Sequence, residues 1–425
     1  MRVATAVLLT AAAPAALALP ADGRRDSTLQ PPEGTAPAQL AAGSNASATG
    51  VTASDTQHPQ LRQQAALAPR TRAGIKLVGK QDAHCDRCEN EAARFSRLLE
   101  ASSCPDTNAM YDAMVRSDAA RPRDGDYVVM SVGCNRADDL VAFGQRFDVL
   151  GRYDAAQWTA ALKVANHNKS PVQACDVRTD TTGWTTNKQI GSVEVHTICA
   201  EPMPANVHLI QETLKLVPKL SGEGGTFTLV PRPFGAPDQV DKDVEFPDCL
   251  DAGRENCGIG TPCNCTRVQL QATSVDAYMA NRSLPQLDAL FVDTEGYDPA
   301  VLAGSARLLS QGKIRYVEFE VHEDLDGTPW AEGNMTSVVA ELDEHGYSCY
   351  WMGQSMLTKI TGCTHGLEPL YDSAGWSNVA CVLRSDPWLA VLEQFDKGGL
   401  CEAWPLDEHD EGNADGGEGD KEQLA

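Results

Sequence analysis

Leu287-Asp288-Ala289-Leu290-Phe291-Val292-Asp293-Thr294-Glu295-Gly296-Tyr297-Asp298-Pro299-Ala300-Val301-Leu302 holds a strand, a tight acidic turn and a helix start in one short stretch. Leu287 to Asp293 reads as a strand, apolar from Ala289 to Val292. Asp298-Pro299 opens a helix that carries Val301, Leu302, Leu308 and Leu309, and Gly312 stops it. Between them, Asp293, Glu295 and Asp298 crowd three carboxylates into one loop. Such a set is unfavourable unless a cation, a cationic ligand centre or hydrogen bonds offset the repulsion.

The same strand-then-helix order recurs on both sides. Tyr127 to Val132 reads as a buried strand, and Leu140, Phe143, Phe147 and Leu150 follow on one helical face. Val193 to Ala200 is a second strand. Pro202-Met203-Pro204 then opens a helix with Val207, Ile210, Leu214 and Val217 on one side. Gly225 to Pro231 and Ile314 to Val321 are further strands, and Gly346 to Met352 with Val379 to Arg384 make a closing antiparallel pair. This alternation predicts an α/β fold: a doubly wound, mostly parallel, seven-stranded sheet. Ligands on such sheets bind beyond the carboxyl ends of the strands.

At those ends the chain places Ser131-Val132-Gly133-Cys134-Asn135, then Glu201, then the Asp293–Asp298 loop. Alternation puts Glu318, Glu320 and His322 on one face of the next strand. A glycine turn ahead of a helix lets backbone approach an anionic group. A carboxylate after the second strand accepts hydrogen bonds from a ribose diol. Each feature also has a plainer reading: a strand-to-helix turn that needs no ligand, a solvated or helix-capping Glu201, and carboxylates that order their own loop. Together they suit a nucleoside bearing a positive sulfonium, S-adenosylmethionine.

Composition narrows the setting. Of 425 residues, 59 are Asp or Glu and 35 are Lys or Arg, a net charge of −24, which repels nucleic-acid phosphates. Met1-Arg2, the apolar run Val3 to Leu19 and Ala16-Leu17-Ala18 fit a secretory signal peptide over residues 1–18. Residues 19–78 are rich in Ala, Pro, Ser and Thr and read as a disordered linker, residues 79–390 as the folded domain, and residues 391–425 as an acidic tail. An insertion over about 153–192, with Trp158, Cys175 and Trp184, forms a cap or an edge decoration. After signal cleavage no membrane insertion is expected, which places the chain in the secretory pathway lumen or outside the cell. Fourteen cysteines then read chiefly as disulfides. Cys85-x-x-Cys88 and Cys263-x-Cys265 resemble zinc half-sites of unlike spacing, so no metal is expected. Cys134 and Cys199, inside apolar runs, read as buried free thiols. Asn45, Asn168, Asn264, Asn281 and Asn334 begin glycosylation sequons.

The stretch Leu287 to Leu309 closely resembles the "iDvEGyE..vL.Ga...L" signature of FkbM-type methyltransferases. Ser274-Val275-Asp276-Ala277-Tyr278 is similar to their "sLDdy", Tyr316-Val317-Glu318-Phe319-Glu320 to their closing acidic strand, and Cys199-Ala200-Glu201-Pro202-Met203-Pro204 to their "fEPmP". Val132-Gly133-Cys134-Asn135 is similar to "iGaN". Tyr347 to Met352, Ile360 to Cys363 and Trp376 to Cys381 resemble a eukaryotic, algal branch of the family. The resemblance spans roughly Cys85 to Arg384.

It implies a Rossmann-like class I fold and S-adenosylmethionine-dependent methyl transfer, commonly to an oxygen of a sugar or small metabolite. Ser131, Gly133, Cys134 and Asn135 would line the methionine moiety and Glu201 the ribose. Asp293 and Glu295 would sit beside the methyl group, and His322 joins them as a candidate base. Two positions depart from the pattern. Ser131 stands where the family has an acid, and Ala137 where it has a second glycine. Those departures motivate an alternative, a degenerate, non-catalytic binding module of the same fold. A metal-dependent hydrolase built on Asp293, Glu295 and His322 is a third reading.

Overall fold

The computed structural model describes residues 107–119, 125–167, 194–221, 225–254, 257–261, 263–322, 328–332, 335–353, 357–361 and 376–396. Cys85, Cys88, Cys175 and Trp184 lie outside them. Ten strands are described: β1 (Tyr127–Val132), β2 (Val195–Ala200), β3 (Phe227–Val230), β4 (Asp243–Asp248), β5 (Thr266–Gln271), β6 (Leu287–Val292), β7 (Ile314–His322), β8 (Tyr347–Met352), β9 (Leu357–Lys359) and β10 (Trp376–Leu383). Eight form one sheet in the order β3-β2-β1-β6-β7-β10-β8-β9, and β4 and β5 form a separate hairpin.

Strands β3, β2, β1, β6 and β7 are mutually parallel, and β10 runs antiparallel to both β7 and β8. The chain winds from β1 outward to β3, then resumes on the other side of β1 with β6. The switch point therefore lies between β1 and β6, the place where such sheets take ligands beyond their carboxyl ends. This is the expected doubly wound, Rossmann-like sheet. It has eight strands rather than seven, because the three-residue β9 is too short to announce itself in the sequence. β10 also begins at Trp376, ahead of the expected Val379.

Alternation along the strands divides the core in two. Val128, Met130 and Val132 face one layer with Met279, Val301, Leu308 and Val339. Tyr127 and Val129 face the other with Met114, Phe143, Trp158, Ile210 and Leu392. Helix Leu389–Phe395 buries Val391 and Leu392 in that second layer, so packed structure runs on to Asp396 rather than stopping at 390. The amino end of the sheet is bolted by Arg315, which donates to Asp118, Asp288 and Asp386 and lies 3.9 Å over the Trp388 ring. That leaves the opposite end for chemistry.

Two helical faces differ from the sequence expectation. Helix Asp138–Phe147 ends before Leu150, which is exposed. Helix Pro204–Leu216 buries Asn206, Leu209, Ile210 and Thr213, while Val207 and Leu214 are only half-buried. Its face is turned by about one residue because a polar side chain, Asn206, is drawn inward. Helix Ala155–Ala165, at the start of the expected insertion, packs on the sheet-flanking helices, and its fully buried Trp158 donates Nε1–H to the Arg136 carbonyl at 3.0 Å. Residues 168–193 lie outside the described positions.

Candidate active site

β1 ends in a turn that the backbone can make only in unusual conformations. Gly133 has φ 79°, Asn135 φ 49° and Ala137 φ 62°. Gly133 cannot be replaced without displacement, because a β-carbon there would overlap the Asp293 carbonyl. The Asp293 amide in turn donates to the Val132 carbonyl at 2.9 Å, and the Gly133 amide to the Ala200 carbonyl at 2.9 Å. One tight bend thus ties the ends of β2, β1 and β6 together.

Cys134, next in the turn, is bonded to Cys199 with their Cα atoms 5.5 Å apart, a normal disulfide separation. This corrects the reading of both as free thiols. Parallel pairing sets Ser131 opposite Cys199, and the Gly133 bend then folds Cys134 back onto β2. Register, which an apolar run alone does not reveal, brings the sulfurs together.

Glu201 follows β2 and is buried. Its Oε1 accepts from the Met203 amide at 2.8 Å. Burial pushes its carboxyl up to about 7, against lowering by the Met203 amide, the Asn206 side chain and the Asn135 amide. The last two contacts place Glu201 directly beside the β1 turn. Asn206, missed in the sequence, is the linchpin: its Nδ2 donates to Asn135 Oδ1 at 3.2 Å, and its Oδ1 accepts from the Gly253 amide at 2.6 Å. Arg136 was missed too. It is buried, pairs with Asp138 at 3.2 Å, and its Nη1 has no hydrogen-bond acceptor among the described residues. Burial lifts Asp138 to about 6, partly countered by Arg136.

Beyond β6, Asp293 is exposed at the sheet end and Glu295 is half-buried with φ 55°. Asp298 is fully buried and accepts from the Thr294 amide at 3.3 Å, so one of the three carboxylates orders the loop. Its burial, with some help from Glu295, raises it to about 7. His322 ends β7, its backbone opposite Trp376; its side chain lies outside the described positions. Glu318 belongs elsewhere. It accepts from Tyr111 at 2.5 Å, Tyr316 at 2.6 Å and Asn378 at 2.9 Å inside the second core layer.

A further wall was not anticipated. The β4–β5 hairpin carries a loop whose Gly258 lies against the acidic turn; a β-carbon there would stand 2.5 Å from the Thr294 carbonyl. The Thr266–Gln271 strand does alternate polar and apolar residues, the signal that identifies it.

The Gly133 turn, Glu201 and Asp293 therefore converge at the switch point, with acidic charge, a buried acceptor and close-approach backbone at one end of the sheet. These are the donor and acceptor types that a nucleoside with a ribose diol and a cationic sulfur requires. Residues 264–349 match the family model described as the methyltransferase FkbM domain. Solved structures similar to the chain include the precorrin-6y C5,15-methyltransferase of Geobacter metallireducens GS-15. It is 10% identical, with 64% of this chain and 87% of that one covered at a TM-score of 0.26. A human methyltransferase 10 domain containing protein is 7% identical, with 70% and 99% covered at a TM-score of 0.28. At such scores the strand order, not the likeness, carries the fold. No curated protein matches the sequence.

Proposed function

We propose that this chain, a methyltransferase with an FkbM domain, binds S-adenosylmethionine across the β1–β6 crevice and methylates an oxygen of a glycan or small metabolite in the secretory pathway. The observation that supports it most is the bond from Asn206, on the helix that follows Glu201, to Asn135 Oδ1 at 3.2 Å, which sets the buried Glu201 beside the Gly133 bend.

In this reading Glu201 accepts the two ribose hydroxyls, and the backbone of Gly133, Cys134 and Asn135, with Ser131 behind them, faces the methionine tail. Arg136, with Nη1 in reserve, is available to that tail's carboxylate. When bound, the cofactor supplies an electrophilic methyl group on a positively charged sulfur. Asp293 and Glu295 offset that charge, and with His322 they are the groups available to take the acceptor's hydroxyl proton. Holding the acceptor oxygen in line with the methyl carbon supplies much of the rate, so a pre-formed crevice matters more than a strong base. The acidic surface, at −24 overall, favours a neutral or cationic acceptor over nucleic acid. Among the described residues no helix is long and apolar enough to cross a membrane.

Calorimetric titration with S-adenosylhomocysteine tests this. Binding is expected, and Glu201→Ala should weaken it by about ten-fold or more, as loss of a hydrogen-bonded charged acceptor does. No binding to the native protein refutes it.

A second reading, the non-catalytic module, is favoured by one observation. Ala137 holds a left-handed conformation at φ 62°, where an L-residue is strained by about 1–2 kcal/mol.

A further inference from the structure

Four cysteines meet beside the candidate site. The sulfurs of Cys249, Cys257, Cys263 and Cys265 all lie within 4.8 Å of one another. Cys249 and Cys265 are bonded, closing the end of the β4–β5 hairpin. Cys257 and Cys263 are free thiols, the first buried and the second half-buried, and Cys257 Sγ stands 4.0 Å from Cys265 Sγ.

What surrounds this cluster gives it meaning. Met203, Phe246, Cys249 and Cys257 form a small apolar core of their own, with Ile259, Val268 and Leu270 against it. Met203 is the residue whose amide holds Glu201. On the other side, Gly258, directly after Cys257, abuts the carbonyls of Thr294 and Glu295. The Thr261 hydroxyl accepts from the Gly258 amide at 2.7 Å, and the Thr261 carbonyl accepts from Arg267 at 2.8 Å. The loop bearing the free thiols is therefore wedged between the proposed ribose acceptor and the acidic turn. Only this small, separate apolar cluster holds it there, so a covalent tie has a large effect on its position.

We infer that Cys257 and Cys263 are a redox-active pair that closes to a second disulfide, a clasp holding residues 257–261 against Thr294 and Glu295 so that the site keeps its wall. The chemistry is thiol–disulfide exchange with an external disulfide as oxidant. The more accessible Cys263 thiolate attacks one sulfur of that disulfide, forming a mixed disulfide and releasing one thiolate. Cys257 then attacks Cys263 Sγ, the Cys257–Cys263 bond forms, and the second external thiolate leaves. Two protein thiols and one external disulfide become one protein disulfide and two external thiols, with no other electron donor or acceptor. Four sulfurs at this spacing are also what a tetrathiolate metal site requires. The disulfide is favoured because Cys249 and Cys265 are already paired with each other, as are Cys134 with Cys199 and Cys349 with Cys381. The effect on the crevice rests on the methyltransferase reading, whereas the bond itself does not.

The test uses the full chain from an oxidising secretory host, denatured without reductant, alkylated and cut with trypsin. Cys249 falls in the fragment ending at Arg254, and Cys257, Cys263 and Cys265 in the one ending at Arg267. The expected result is that Cys257 and Cys263 resist alkylation until reductant is added. Alkylation of both, persisting after incubation of the folded protein with oxidised glutathione, overturns the inference. So does one zinc per chain by elemental analysis with all four thiols released on chelation. On the folded protein, Cys257→Ser with Cys263→Ser should speed tryptic cleavage at the exposed Arg254 by about ten-fold, because cleavage follows the open population of the loop. Unchanged cleavage rejects the clasp. S-adenosylhomocysteine binding by the same variant is expected to fall several-fold. If the native protein binds none, the enzymatic reading fails, while alkylation and cleavage still decide the disulfide.

Discussion

Gly133 and Asp293 cross backbone against backbone at the switch point, so closely that no β-carbon fits at Gly133. The Asp293 amide anchors the crossing through its 2.9 Å bond to the Val132 carbonyl. Gly133→Ala adds a methyl in that gap and also forces a side chain into φ 79°. A loss of about 3 kcal/mol or more is expected in urea unfolding, along with loss of S-adenosylhomocysteine binding. A stable variant that binds normally shows that the turn is not where the cofactor sits.

Under the proposed function, Glu201 makes cofactor affinity depend on pH. Its ordinary value of 4.5 is raised to about 7 by burial, so below that pH the carboxyl is protonated and one acceptor lone pair becomes a donor. Ribose hydroxyls need the ionised form. Affinity should therefore rise by up to about ten-fold per pH unit below 7 and level off above it. Glu201→Gln should bind weakly at every pH, with no such slope. Isothermal titration across pH 5.5 to 8.5 (about three units, enough to bracket the transition) distinguishes the two.

Asp298 costs stability where Glu201 costs affinity. Its folded value is raised from 3.8 to about 7, chiefly by burial, so the folded state holds its proton where the unfolded chain has released it. The sign is that stability falls as pH rises from about 4 towards 7 and is lowest above that window. Asp298→Asn keeps an acceptor for the Thr294 amide and removes the ionisation. It should match the native protein at pH 4 and exceed it by about 2 kcal/mol at pH 8, measured by chemical denaturation. A variant less stable than the native protein at pH 8 contradicts this assignment.

Ser131 and Ala137 decide between enzyme and binding module. Ser131→Asp with Ala137→Gly introduces the carboxylate that the FkbM pattern has at the first position and relieves a left-handed alanine at the second. Tighter S-adenosylhomocysteine binding is expected, by about ten-fold. If the native chain binds nothing and this variant binds well, the non-catalytic module is the better reading.

Much of the site was legible because strand ends are. The Tyr127–Val132, Val195–Ala200 and Leu287–Val292 runs are short and mostly apolar, so the residues that follow them could be placed without coordinates. Side-chain partners were not legible in the same way. Asn206 looks like one polar residue of an amphipathic helix, and only the contacts with Asn135, Glu201 and Gly253 turn it inward. Cys134 and Cys199 meet through parallel register across 65 residues, which no local pattern encodes. The β4 strand was hidden by its charges and by Pro247, although its partner β5 alternates plainly.

The most direct measurement is a crystal structure with S-adenosylhomocysteine bound. The ribose hydroxyls should lie within hydrogen-bond distance of the Glu201 carboxylate, with the methionine tail over Gly133 and the sulfur facing Asp293. A ligand seated elsewhere in the molecule, or a ribose that ignores Glu201, contradicts the account.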